Sequence, residues 1–266
     1  MNEWDFHKAV AELAWQLECG VTETIGEAPV NRYETAAEPA RAAAPEQKSA
    51  APAPMSNSIP GGPAPAAPAA LLPDPVAEAE ALAAQAVSLD DLARLQAGFE
   101  QCELKRGARN FVFCDGVAGA PIMIVGEAPG RDEDREGKPF VGRAGQLLDK
   151  MLAAIGESRQ SGVYITNILP WRPPQNRDPK PDEVAMMLPF LRRHIALAAP
   201  KILIAMGNHA CMALLNKKGI TRLRGQWHEA EGLPVLPMLH PAYLLRQPHA
   251  KRQAWEDLLA LKAKLA

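Results

Sequence analysis

Four short apolar runs constrain this chain most: PIMIV at 121–125, GVYIT at 162–166, KILIA at 201–205 and LPVLP at 233–237. Each is too short for a helix and reads as a buried strand. Between them lie Ala144–Ile155, Pro181–Ala198 and His209–Lys217, each with apolar residues at helical spacing, and Lys251–Leu265 follows the last. Strand and helix in strict alternation imply parallel strands joined by helical crossovers, with helices on both faces of the sheet. The fold class predicted is α/β, a three-layer α/β/α sandwich around a central, mainly parallel four-stranded sheet. In such sheets ligands bind beyond the carboxyl ends of the strands.

The regular pattern does not reach the N-terminus. From about 36 to 86 the sequence collapses into Ala and Pro, with EPARAAAPEQKSAAPAPMSNSIPGGPAPAAPAALLPDP at its centre. So few aromatic and β-branched residues cannot bury enough surface to offset ordering entropy, so the segment reads as a disordered linker. Before it, Trp4, Val10, Leu13, Ala14 and Leu17 recur at helical spacing. Residues 1–35 therefore read as an amphipathic helix or tail, either docking to a protein partner or weakly structured. Order resumes at Ser88, a helix N-cap with an acid, Asp91, at its third position. The domains predicted are 1–35, the linker 36–86, and the main folded domain over 87–266.

Charge follows the same division. Residues 1–87 carry 4 Lys/Arg and 12 Asp/Glu, whereas residues 88–266 carry 25 and 19, so an acidic tail precedes a basic domain. A balance of +6 in the folded part is compatible with a nucleic-acid partner. No run of about 20 apolar residues is present, which argues against a membrane span. Met1-Asn2-Glu3-Trp4-Asp5 lacks a secretion-signal pattern. The expected location is the cytoplasm, and the expected state is a monomer. Cys19, Cys102, Cys114 and Cys211 show no C-x-x-C pair, so no metal site is legible from spacing.

The candidate site residues sit where the strands end. After the first strand comes Gly126-Glu127-Ala128-Pro129-Gly130, whose glycines permit tight turns and whose proline stiffens the loop. It is no phosphate loop, since the Lys-Ser/Thr of that motif is missing. Phe140 lies between Pro139 and Val141 just before a helix. Asn167 ends the second strand. His240 precedes Pro241 after the fourth and is held extended by it. Alone, each has a plain structural reading: a turn, a core ring, a cap. Glu133 and Asp134 likewise suit a helix start through its dipole.

Taken in order, GEAPGRDEDREGKPFVGRAGQLLD, YITNILPWRPPQNRDP and LHPAYLLRQP resemble the family 4 uracil-DNA glycosylases from about Leu89 onward. The resemblance implies base excision repair of uracil-containing DNA. It implies that Phe140 stacks on uracil, that Asn167 reads its O4 and N3–H, and that His240 lies near its O2. The family's first motif has Ala128 where better-known relatives place an Asp, so Glu127 is the nearest carboxylate for positioning water. Gly126, Ala128, Pro129 and Gly130 would shape the pocket. Leu244 or Leu245 would enter the duplex as a wedge, with Arg246, Arg172 and Arg177 on phosphates.

The family commonly holds a [4Fe–4S] cluster on four cysteines. At the matching positions this chain has Phe99, Cys102, Trp171 and, on the next helix, Met187 or a neighbour. One thiolate cannot hold a cubane, so no cofactor is expected. Two other readings remain: a binder that captures uracil-DNA without turnover or covalently, and an accessory domain of a polymerase. The covalent relatives carry a basic, His-containing insertion after the TN segment, and no His lies between Asn167 and Glu183. A family 5 type enzyme would lack the carboxylate found at Glu127.

Overall fold

The computed structural model describes residues 74–265. The Trp4–Leu17 pattern and the linker up to residue 73 lie outside the described residues. Three helices lead in: α1 (Pro75–Gln85), α2 (Leu89–Gly98) and the short α3 (Leu104–Gly107). The sheet then builds from β1 (Cys114–Gly116), β2 (Ile122–Gly126), β3 (Val163–Asn167), β4 (Ile202–Met206), β5 (His228–Ala230) and β6 (Leu233–Met238). Its order is β1-β3-β2-β4-β6-β5. The inner four strands are parallel; β1 and β5 close the two edges antiparallel. The four expected strands are all present within one residue of their predicted limits, and the sheet gains two three-residue edges that the count of four omitted.

The remaining helices are α4 (Arg131–Glu136), α5 (Arg143–Ala154), α6 (Pro181–Ala198), α7 (Asn208–Leu215), α8 (Ile220–Leu223), α9 (Pro241–Arg246) and α10 (Lys251–Leu265). Strand periodicity sorts the core into two layers. Met123, Val125, Tyr164, Leu203, Ala205 and Val235 face the helices α1, α2 and α6, whereas Ile122, Ile124, Val163, Ile165, Ile202, Ile204 and Leu236 face α5 and α10. β2, β3 and β4 are buried along their whole length, as expected of parallel strands covered on both sides. Ser88 caps α2 as predicted, accepting the Asp91 N–H at 3.1 Å.

Residues 75–86, assigned above to the linker, are instead part of the folded domain. Asp74 caps α1 by accepting the Val76 N–H at 2.9 Å, and Pro75 opens its first turn. Ala79, Ala83 and Ala86 are buried against the core. Arg193 of α6 donates two hydrogen bonds to the Ala86 carbonyl, at 2.9 and 2.5 Å. A helix that packs mainly through alanines can approach its neighbour closely, yet with Val76 and Leu82 as its only large apolar residues it shows little of the amphipathic face by which a helix is read. No described helix is long and apolar enough to cross a membrane.

The four positions matched to cluster ligands lie in one apolar layer. Phe99, Cys102, Trp171 and Met187 are each at most 3% exposed. Phe99 meets Phe190 edge-to-face at 5.5 Å between centroids, and Trp171 meets Phe111 at 5.6 Å. Burial raises the pKa of the Cys102 thiol.

Candidate active site

The carboxyl ends of β2, β3, β4 and β6 open into a cleft of about 630 Å³, within the usual size of a small-molecule site. Glu127, Phe140, Asn167 and His240 all line it, as do Ala128, Pro129, Gly130, Arg177 and Arg246. Residues from four separate segments thus converge at one sheet edge.

Gly126 makes the convergence possible. A Cβ there would lie 2.3 Å from Asn167 Oδ1 and 2.6 Å from Phe140 Cε2, so only hydrogen leaves room for both side chains. The following loop is tied down by Glu133 on α4. Its carboxylate accepts the N–H of Gly130 at 3.1 Å, of Val141 at 3.0 Å and of Gly142 at 2.9 Å. Glu133 therefore joins the first loop to the Phe140 loop. Asp134 accepts the Arg109 and Asn110 N–H groups at 2.8 and 3.2 Å. Both acids serve the backbone.

Phe140 is 5% exposed and has φ of 55°, in the left-handed region. For a residue other than glycine this conformation costs about 1–2 kcal/mol, so surrounding contacts must hold it. Its ring stacks on His240 with centroids 5.4 Å apart and planes 27° from parallel.

His240 is the N-cap of α9. Its Nδ1 accepts the Ala242 N–H at 3.1 Å, which requires a lone pair there. In the neutral ring the proton then belongs on Nε2. Burial, with a smaller contribution from the charge of Arg246, lowers its pKa to about 4, so the ring is neutral at physiological pH. Gly207, at φ 92°, sits against it; a Cβ there would lie 3.4 Å from that of His240.

Asn167 is 7% exposed, and its Oδ1 is buried with no hydrogen-bond partner. A buried acceptor left open is costly unless a ligand supplies the donor. Glu127 has a partner that the linear sequence hid: His209 Nδ1 lies 2.6 Å from Glu127 Oε2. Each side chain is about one-third exposed, and both line the cleft. Asp178 approaches the same pair, the three offering ligand atoms within 4.8 Å of one another. Among the described residues this is the one such trio, and it contains no cysteine.

The DNA-facing candidates divide. Leu244 is 1% exposed and belongs to the core beneath α9, so it is not available as a wedge; Leu245 is 38% exposed. Arg177 forks onto Glu183, with Nη1–Oε2 at 2.9 Å and Nη2 closing on Oε1, which leaves its charge already paired. Arg172, itself outside the cleft lining, donates from Nε to Asn176 Oδ1 at 2.7 Å, and Asn176 lines the cleft. Arg246 remains at the cleft wall.

Residues 113–259 match the family model described as the uracil DNA glycosylase superfamily. The chain is 40% identical over 179 residues to the type-4 uracil-DNA glycosylase of Archaeoglobus fulgidus, covering 64% of this chain and 89% of that protein. It is 41% identical over 169 residues to the type-4 enzyme of Thermotoga maritima, covering 61% and 86%. A DNA polymerase of Bacillus phage SP01 is 36% identical over 150 residues, 56% of this chain but 16% of the polymerase. With its four segments meeting in one cleft and the family match spanning more than half its length, the chain belongs to the uracil DNA glycosylase superfamily.

Proposed function

We propose a division of labour within the cleft. The chain is a uracil-DNA glycosylase: it hydrolyses the N-glycosidic bond of uracil in DNA, releasing the base and leaving an abasic site. Chemistry on a base requires taking it out of the stack. In this reading Phe140 receives the face of the extruded uracil. Asn167 accepts N3–H through Oδ1, the unpartnered buried oxygen, and donates to O4 through Nδ2. Cytosine offers an acceptor at N3 and a donor at N4, so the same amide would face both groups unpaired.

As the bond to C1′ breaks, its electrons pass to the base and negative charge collects on O2 and O4. The sugar becomes oxocarbenium-like. Nε2–H of His240 then serves as a preorganised donor to O2, a role typically worth about 3–4 kcal/mol. The observation that carries this is the cap hydrogen bond. Because Nδ1 is committed to the Ala242 N–H, the one ring proton is fixed on the other nitrogen. Glu127, held by His209, orients the water that adds to C1′, and the proton this water loses neutralises the departing uracil anion. Leu245 fills the gap in the duplex and Arg246 holds a phosphate, with Gly126 to Gly130 shaping the pocket wall.

We further propose that this member works without a [4Fe–4S] cluster. The four matched positions supply one thiolate, and their buried side chains pack with aromatic neighbours. Iron quantitation and the visible spectrum of the purified protein test this; stoichiometric iron would overturn it. We assign the catalytic domain to residues from α1 onward, acting as a monomer in the bacterial cytosol, with residues 1–35 as a docking element.

A uracil-containing oligonucleotide, treated with alkali after incubation, tests the reaction. Strand scission by less than stoichiometric protein supports turnover. A heat-stable shift on a denaturing gel would instead support covalent capture.

A further inference from the structure

Arg159 is absent from any motif considered so far, yet its side chain is only 10% exposed and makes more contacts than a surface cation needs. It lies in the tight connection between α5 and β3, where Gly162 N–H donates back to the Ser158 carbonyl at 3.1 Å. Its guanidinium reaches the Phe140 loop. Nη1 donates to the Pro139 carbonyl at 2.8 Å, and Nη2 donates to the Phe140 carbonyl. Two carboxylates hold the guanidinium in place: Asp149 of α5 on Nε at 2.6 Å and Asp115 of β1 on Nη1 at 3.0 Å. Gly145 also packs on the Phe140 carbonyl, where a Cβ would lie 1.7 Å from that oxygen.

We propose that Arg159 is a positioning residue for base recognition. Its planar fork holds two successive carbonyls and so fixes the left-handed backbone that turns the Phe140 ring into the cleft. The proposal rests on the reading of Phe140 as the surface that receives uracil. A lysine keeps the charge between Asp115 and Asp149 but cannot present the same rigid pair of donors. The chemistry therefore predicts a specific pattern: Arg159 matters through Phe140, and the fork matters beyond the charge.

The test is a double-mutant cycle on kcat/KM with a single-stranded uracil oligonucleotide, each variant being checked for its melting temperature. Arg159→Ala should lower kcat/KM roughly 100-fold and Arg159→Lys about tenfold, as expected when a recognition element is displaced by about an ångström. Inhibition by free uracil should weaken in step. In a Phe140→Ala background the further effect of Arg159→Lys should be less than about twofold. Should Arg159→Ala fail to fold, Arg159→Lys still decides the matter, because it retains a cation between the two carboxylates.

Wild-type kcat/KM in a folded Arg159→Lys variant would overturn the proposal, and so would losses that multiply in the Phe140→Ala background. Full activity of Phe140→Ala alone would remove the stacking role and the clamp with it. Loss in Phe140→Ala without any effect of Arg159 would remove the clamp only.

Discussion

Two parts of this domain treat their interiors in opposite ways. At the cleft, a buried amide oxygen lacks a partner, a phenylalanine holds a left-handed backbone, and a histidine is kept neutral while capping a helix. In the layer around Phe99, Cys102, Trp171 and Met187, apolar side chains pack with almost no exposure. The first region holds an unpartnered buried acceptor beside a strained backbone; the second is packed throughout with apolar side chains. The contrast indicates where substitutions should cost activity and where they should cost stability.

The largest separation should come from Asn167→Ala and His240→Ala. Each is expected to lower kcat by about 100- to 1000-fold, the cost of losing one donor to a developing anion. Asn167→Ala should not lower the melting temperature, because it removes a buried acceptor that has no partner. Glycosylase assays beside thermal melts check both halves. A wild-type rate in both variants would refute the site.

Met187→Ala should do the reverse. Truncating a fully buried methionine typically costs about 2–5 kcal/mol, read from denaturant midpoints, with kcat of the folded fraction unchanged. If activity fell while stability held, the apolar layer would have a part in the chemistry. Gly126→Ala lies between the two regimes: a Cβ would collide with Asn167 and Phe140, so a loss of about 100-fold is expected with a melting temperature lowered as well.

Leu245→Ala should lower activity on duplex by about tenfold, the cost of an unfilled gap after unstacking, and spare single-stranded substrate. Equal losses on both would exclude a wedge. Stability should also depend on pH. Burial lowers the pKa of His240 to about 4 and that of His194 to about 3, both from 6.5. The unfolded chain thus binds more protons over that interval, so stability should be full above pH 6.5 and decline as pH falls toward 4. Denaturant midpoints at pH 7 and pH 5 give the slope, and His194→Gln should flatten it.

The parallel core was legible because each inner strand is a contiguous apolar run bounded by turn residues. The edges were not: Cys114–Gly116 and His228–Ala230 are three residues long and only partly buried, too little for a period to register. The Pro75–Gln85 helix was hidden by its composition, since Ala79 and Ala83 bury well but look like linker in an alanine-rich stretch. Leu244 and Leu245 are adjacent on a helix and so face different ways, which no motif can arbitrate. His209 meets Glu127 across 82 residues, and Arg159 meets Phe140 across 19, so neither partnership leaves a local signal. Arg177 resembled a free cation because its partner Glu183 reads equally well as a helix-start acid.

The left-handed backbone at Phe140 also limits how the cleft can change. Branched Val, Ile or Thr would be strained there in addition to losing the ring. Glycine would relax the chain but leave no stacking surface, and asparagine or histidine would bring a polar group against the His240 ring. Position 140 is therefore nearly closed to gradual alteration. A search for variants that accept a different damaged base should vary the other cleft residues, at Asn167 and the Gly207–His209 loop, and leave Phe140 untouched.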